Sequence, residues 1–368
     1  MTQELPLTGL KVIAIEQAVA APFASARLAD AGAEVIKIER PGGDFARGYD
    51  TAAAGQSSYF VWLNRGKTSL VCDLATDAGK ATLEELLGTA DILIQNLKHK
   101  ALNRLGFGAE RLTQAYPRLI SCAINGYGES GPMAERKAYD LLIQAESGLC
   151  SITGGPSEPS RVGLSVVDIA TGATAHAAIL EALIQRGITG KGTSISVSMF
   201  DVIAEWLTVP LLNHEGGNSP TRQGMMHPSI APYGVFETKD GKLVLISVQS
   251  DREWRRLCRE FLGDERLGID PPFATNVARV QNRTKTDALI AAKFSEMTVD
   301  EVTQALLRSD VALANVNDMA GLSSHPHLRR ITVQTPNGPV SIPAPAPVIH
   351  GAPRTYGGVP ELGDTSAT

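Results

Sequence analysis

From its first residues the chain alternates short apolar, β-branched runs with stretches whose apolar positions recur at helical spacing, the pattern of a parallel sheet flanked by helices. Residues 11–16 (KVIAIE) form a nearly continuous apolar strand, 22–31 a helix of small residues stopped at Gly32, and 34–39 (EVIKIE) the next strand. The pattern repeats with a strand at 69–73, a helix at 77–89, a strand at 91–95, a helical stretch at 110–116 and a strand at 119–124. A helix rich in alanine and leucine follows over 168–186, then the turn Gly190-Lys191-Gly192 and a strand at 193–198. Its small side chains predict close packing against another element, from this chain or another subunit. The layout is α/β and Rossmann-like, and it occupies residues 1–215.

Residues 216–226 turn polar and glycine-rich, as a linker does. The hairpin YGVFETKDGKLVLISV, turning at Asp240-Gly241, and helices at 251–262, 283–295 and 299–309 then predict a smaller α+β domain within 216–330. In 331–368 a short hairpin around Asn337-Gly338 precedes prolines whose spacing excludes regular helix. This last segment is expected to cross the surface of the large domain and complete it.

Composition narrows the function classes. The 368 residues are 43% apolar, 20% charged and 5% aromatic, which excludes a disordered chain or a disulfide mini-protein. A net charge of -5 supplies no whole-molecule field for nucleic acid or an anionic membrane. Cys72, Cys122, Cys150 and Cys258 lack the spacing of zinc ligands or a redox pair and read as reduced thiols. The N-terminus does not read as a secretory signal, and no apolar run reaches the ~18 residues of a membrane span. A soluble, cytoplasmic protein without nucleic-acid or membrane partners is expected.

The first strand-turn-helix is the natural dinucleotide site, but its loop reads EQAVAAP, without the glycines that let backbone approach a pyrophosphate. Glu39 stands near the spacing of a ribose-binding acid, yet nicotinamide binding is disfavoured without them. Arg40, ending the second strand, is placed to meet an anion or to be solvated. Asp168 opens the long helix, either as an N-cap or as a poorly hydrated, nucleophilic carboxylate. His176 lies two turns further along, too far to pair with it. His325 and His327 flank a proline with no third ligand nearby, so no metal is expected. Gly126, Gly128 and Gly131 form a permissive loop, either a plain connection or an approach to a ligand.

Seven collinear segments resemble the class III coenzyme A transferases, the group of formyl-CoA transferase, whose racemising relatives are the α-methylacyl-CoA racemases. They include LTGLKVIAIEQAVAAPFASARLADAGAEVIKIERPGGD, NRGKTSLVCDL, DILIQNLKHKALNRLGFG, PRLISCAINGYGESGP and VVDIATGATAHAAILEALIQRGITGKG. The remaining two are KAYDLLIQAESGL and PYGVFETKDGKLVLIS, so the match is good over residues 5 to about 250. The resemblance implies that Asp168 attacks an acyl-CoA thioester to give a mixed anhydride and then an enzyme-CoA thioester, with water excluded. It implies a CoA thioester as co-substrate, no permanently bound cofactor, and a homodimer of interlocked rings.

Position by position, it assigns Gln17, Ala18 and Ala20 to the loop lining the pantetheine and carboxylate pocket, and Arg40 to the adenine and phosphate end. Asn96, Leu97 and Arg104 match residues that hold CoA, with Leu97 in place of the usual aromatic. Lys137 falls near the phosphates and Tyr139 near the acyl group; Cys72 and Gly126 complete the substrate set. Gln17 and Val19 replace the histidine and glutamine of formyl-CoA transferase, and its glycine-rich flap gives way to RQGMMHPSIAPYG, where His227, Met225 and Met226 sit at the acyl pocket or in a packed linker. These departures point to a larger acceptor, a four- or five-carbon dicarboxylate. The racemases' GHD motif reads Ala138-Tyr139-Asp140, and tyrosine is a poor substitute for an imidazole base. An acyl-CoA racemase using another base and a non-catalytic CoA-binding subunit are the alternatives.

Overall fold

The computed structural model describes residues 4–98, 100–350 and 354–364. Within it the chain divides into two units. The first takes in the chain up to Leu149, Arg161–Leu212, and the chain from Arg329 onward. Its strands are β1 (Lys11–Ile15), β2 (Glu34–Glu39), β3 (Lys67–Val71), β4 (Ile92–Gln95), β5 (Ile120–Asn125) and β6 (Ser194–Ser198). They form one parallel sheet in the order β3-β2-β1-β4-β5-β6. Between β1 and β4 the strand order reverses, which opens a crevice at the strands' carboxyl ends.

Both faces of the inner strands are covered, so β1 and β4 are nearly continuous apolar runs instead of alternating, while the edge strands β3 (KTSLV) and β6 (SISVS) carry polar residues. On one face Val12, Ala14, Val35 and Ile94 pack with α1 (Ala20–Asp30) and the long α8 (Val166–Thr189). On the other, Ile13, Ile15, Ile38 and Leu93 pack with α3 (Asp77–Leu87), α4 (Ala101–Arg104) and α5 (Ala109–Ala115). The small-residue character of α1 and α8 has a direct use. A Cβ on Gly172 would stand 2.4 Å from the Ala20 carbonyl oxygen and 3.0 Å from the Phe23 Cβ, so glycine lets the two helices meet. The partner of the small-residue helix is therefore an element of its own chain.

The remaining helices of this unit include α2 (Ser58–Asn64), which the sequence pattern did not disclose, α6 (Asp140–Glu146) and α9 (Met199–Trp206). Short α7 (Leu149–Ile152) and α10 (Thr208–Glu215) lie where the chain passes between units. Phe60 and Val61 of α2 share a small core with Val333 and Ile342 from the C-terminal hairpin, which is β10 (Arg330–Thr335) paired with β11 (Gly338–Pro343). By length and composition α8 is apolar enough to cross a membrane, although polar positions such as His176 and Glu181 hide this from a search for unbroken apolar runs.

The second unit comprises Cys150–Ser160 and Asn213–Leu328. Strands β7 (Tyr233–Glu237) and β8 (Leu243–Ser247) form the expected hairpin, and β9 (Ala312–Asn315), which was not expected, adds a third antiparallel strand. Helices α11 (Asp251–Leu257), α13 (Arg283–Ser295) and α14 (Val299–Arg308) pack around Trp254, Phe261 and Phe294, and α12 (Asn276–Gln281) lays the Arg279 guanidinium over the Trp254 ring. Cys150–Ser160 joins this unit because Arg222 donates to the carbonyls of Ser151, Gly155 and Pro156, and the Gly224 amide to Gly154. Sequence patterning placed that segment in the large domain.

Candidate active site

A cavity of about 270 Å3 opens at the carboxyl ends of β1, β2, β3 and β4. Gln17, Arg40, Cys72 and Leu97 all line it, brought together from four separate connections. Arg40 is exposed and its Nε donates to the Gly43 carbonyl at 3.1 Å, which leaves its terminal nitrogens to solvent or a ligand. Cys72 is buried, with its sulfur 3.5 Å from the Gly79 carbonyl, and supplies a small apolar wall. Arg104 is exposed at the end of α4, next to the lining residue Leu105.

Asn96 acts on this cavity through Gln17. Its Oδ1 accepts the Gln17 amide at 3.0 Å and its Nδ2 donates to the Gln17 carbonyl at 2.8 Å, the two-point pairing of one peptide group with another. The next residue, Ala18, has φ +62°, and its amide donates to Asp44 Oδ1 at 3.2 Å. Ala20, buried, begins α1.

Beneath this loop lies a cluster of four charges whose side chains are wholly buried. Lys37 Nζ meets Asp44 Oδ2 at 2.9 Å and the Glu16 carbonyl at 3.3 Å, while Lys67 Nζ meets Glu16 Oε1 at 2.6 Å. Ser25 donates to the other Glu16 oxygen at 2.6 Å. Burial alone would raise the Glu16 carboxyl, but Lys67 and Lys37 outweigh it and hold it low. Burial brings Lys67 down to about 8. Glu39 is equally committed: it pairs with Arg47, accepts the Ser69 hydroxyl at 2.6 Å and the Asp44 amide at 2.8 Å, and is held at about 2 against the effect of burial. It has no free oxygen with which to bind a ribose, contrary to what its spacing suggested.

Asp168 is the third residue of α8, and it does not cap the helix. That task falls to Asp140 at the start of α6, whose Oδ1 accepts the amides of Val167 at 2.8 Å and Asp168 at 3.2 Å, and whose Oδ2 accepts Gln144 Nε2 at 2.6 Å. Among the described residues no donor reaches the Asp168 carboxylate. Burial, and then the Asp140 charge, push it up to about 7. The helix start thus does not keep Asp168 ionised through its own amides, as the sequence suggested; those amides hold Asp140 instead. One turn beyond Asp168, on the same face, Gly172 touches the Ala20 carbonyl, which ties the helix of Asp168 to the end of the Gln17–Ala20 loop.

Gly126, Lys137 and Tyr139 lie outside the cavity lining, on the connections between β5 and α6. A Cβ on Gly126 would stand 2.2 Å from the Ala138 Cβ, so this glycine admits the irregular segment that leads into Asp140. Lys137 is exposed, and Tyr139 is 58% exposed. Sequence reasoning missed Tyr49. Tyr49 is 48% exposed, yet desolvation of its hydroxyl, with the charges of Asp44, Asp168 and Tyr139 adding to the effect, pushes it up to about 12. Its ring meets Tyr59 edge-on at 5.6 Å. The ERPGGDFARGYD stretch gave no warning, because Tyr49 acts from a short turn (Phe45–Gly48 and its cap) that has no periodicity.

The other candidates resolve simply. His176 lies along α8 and is lowered by burial and by Arg27 and Arg354. His227 stacks on Tyr233 at 5.1 Å within the second unit, the packed-linker alternative. No cluster able to hold a metal occurs among the described residues.

Comparison with known proteins gives this arrangement its context. The family model described as CoA-transferase family III matches residues 7–365. The succinate–glutarate CoA-transferase of Agrobacterium fabrum is 35% identical over 94% of this chain and 89% of its own length. The acetyl-CoA:oxalate CoA-transferase of Acetobacter aceti is 34% identical over 98% of this chain and 94% of its own. The crystal structure of a CAIB/BAIF family protein from Brucella suis superposes with a TM-score of 0.84 at 34% identity, covering 98% of this chain and 97% of that one. A family match over nearly the whole length, with relatives above 30% identity, is decisive: the chain belongs to CoA-transferase family III and is a class III CoA-transferase.

Proposed function

We propose that this enzyme moves CoA from an acyl-CoA thioester to a four- or five-carbon dicarboxylate, with Asp168 as the covalent nucleophile. The observation that carries the reading is a half-buried carboxylate, without a hydrogen-bond donor among the described residues and raised to about 7, on the helix that meets the cavity loop. Such a carboxylate is weakly solvated and unusually basic, and therefore nucleophilic. Its oxygen adds to the thioester carbonyl, the C–S bond breaks, and CoA leaves as thiolate. The thiolate attacks the aspartyl carbonyl of the resulting anhydride, releasing the donor acid and leaving an aspartyl-CoA thioester. The acceptor carboxylate then displaces CoA to form a second anhydride, and the thiolate attacks its acceptor carbonyl. New acyl-CoA departs and Asp168 is a carboxylate again.

The cavity supports the placement of CoA: Arg40 offers charge for phosphate at its rim, and Leu97 and Cys72 offer apolar surface. The acceptor class is supported by the relative named for succinate and glutarate, dicarboxylates of four and five carbons. The strand order supports the Rossmann-like description. An interlocked homodimer is supported by apolar side chains that α8, α9 and α10 leave in the open, among them Ile188 at 81%, Trp206 at 60% and Val209 at 69% exposure. We further place the enzyme in the cytoplasm, working without a resident cofactor.

Mass spectrometry after incubation with succinyl-CoA and hydroxylamine tests the mechanism, with a hydroxamate expected at Asp168. Undiminished transfer without any adduct there would remove it. Exchange of the substrate's α-hydrogen in deuterated water would instead favour racemisation.

A further inference from the structure

At the end of β1 the chain leaves the sheet and enters α1 through Glu16–Val19, and it turns at Ala18 with φ +62°. A residue with a Cβ rarely occupies that region unless its surroundings impose it. Here the surroundings include Asp44. One oxygen of its carboxylate accepts the amides of Ala18 at 3.2 Å and Ala46 at 2.9 Å, and the other is fixed by Lys37 at 2.9 Å. Lys37 also donates to the Glu16 carbonyl at 3.3 Å, on the near side of the turn.

The chain on each side of Ala18 is anchored separately. Gln17, which lines the cavity, is clamped by Asn96; Ala20, which begins α1, is packed on Gly172 of the helix that carries Asp168. Rotation at Ala18 therefore shifts the cavity loop against the nucleophile's helix. We propose that Asp44 is a positioning residue: by gripping the Ala18 amide it holds the left-handed turn that sets the distance between the CoA cavity and Asp168. The buried charge cluster gains a purpose from this. Four charges taken out of water are a poor source of stability but a rigid mount for one oxygen atom. The proposal rests on reading the cavity as the CoA-thioester site and Asp168 as the nucleophile.

Two measurements test it. Amide hydrogen exchange at Ala18 should accelerate about tenfold or more in D44A, the loss expected when a strained turn is released. Unchanged exchange would overturn the grip, and this readout is independent of catalysis. In steady-state transfer from succinyl-CoA, D44A should lose about tenfold in kcat/KM for the donor against wild type, but less than about threefold when introduced into an A18G background, because glycine adopts the turn unaided. Equal losses in the two backgrounds would overturn the positioning role. Should D44A not fold, D44N keeps an acceptor oxygen for Ala18 while removing the charge. It should retain slow exchange and a donor KM within about threefold of wild type despite a lower Tm, whereas fast Ala18 exchange in folded D44N would refute the proposal. If wild type transfers CoA from no donor, the functional reading fails while the exchange result still decides the grip.

Discussion

Two groups of carboxylates stand within the same unit, and Glu16 and Glu39 of the first are pushed down where Asp168 of the second is pushed up. Under the cavity loop, Glu16, Glu39 and Asp44 are each met by a cation and by hydroxyl or amide donors, and Glu39 is held at about 2. At the start of α8, Asp168 meets no cation and no donor among the described residues, has Asp140 as its charged neighbour, and stands at about 7. Burial acts in the same sense on Glu16, Glu39 and Asp168, raising each. What separates the groups is the supply of partners, and with it the use we propose for each: the saturated carboxylates as a structural mount, the unsaturated one as a reagent.

The strongest test of that contrast removes the reagent. Asp168→Ala should lose at least about a thousandfold in transfer, because every covalent step of the proposed mechanism passes through its carboxylate. Binding of free CoA, measured by calorimetry, should survive. Full activity in this variant would erase the distinction between the two groups. Removing a partner from the saturated group should act on stability instead. Lys67→Met strips Glu16 Oε1, the Pro22 carbonyl and Asn64 Oδ1 of a donor at once and is expected to cost roughly 3 to 5 kcal/mol in urea unfolding, the usual result of leaving a buried charge short of its partner. A loss below about 1 kcal/mol would show that the cluster is wetter than its zero exposure implies.

The two groups also predict opposite dependences of stability on pH. Glu39 is lowered on folding, so its contribution is present above its ordinary value of 4.5 and is lost as pH falls toward about 2. Asp168 is raised on folding, so the folded chain holds a proton that the unfolded chain releases near 3.8; its ionisation destabilises the fold progressively from there to about pH 7. Asp168→Asn should therefore raise stability by about 1 to 3 kcal/mol at pH 8 and by little at pH 4, at the expense of activity. Thermal unfolding of variant and wild type at the two pH values checks this, and a gain over wild type no larger at pH 8 than at pH 4 would contradict the raised carboxyl.

How much of this was open to the sequence follows from what each feature depends on. The parallel strands were legible because KVIAIE and EVIKIE are apolar on both faces, which a doubly covered sheet requires. The cavity residues Gln17, Arg40, Cys72 and Leu97 were reached through collinear resemblance, and the structure brings them to one place. Asn96 was read as a CoA contact, yet its amide is spent on Gln17, because side-chain pairing to backbone leaves no mark on periodicity. Strand β9 and helix α2 are short, and their packing partners lie far along the chain, beyond any local window. The exchange of roles between Asp140 and Asp168 was hidden for the same reason: position alone made Asp168 a candidate cap, whereas the cap comes from 28 residues earlier.

That exchange of roles supplies the subtlest test of the comparison. The proposed mechanism requires Asp168 as carboxylate, so kcat/KM should rise with pH along a limb of unit slope centred near 7. Asp140→Asn keeps an oxygen to accept the amides of Val167 and Asp168, so the helix start is preserved, but it removes the neighbouring charge that raises Asp168. Its new amide nitrogen faces Gln144 Nε2, and Gln144 cannot turn over freely because its Oε1 accepts the Val162 amide at 2.9 Å. A stability cost of about 1 kcal/mol follows from that one mismatched contact. The acid limb should nevertheless move to lower pH, since burial remains and only the repulsion is gone. A limb that stays in place would assign the whole shift to burial. A limb that moves up would mean that Asp140 helps Asp168 to ionise, and the two carboxylates would then belong to one cooperating pair.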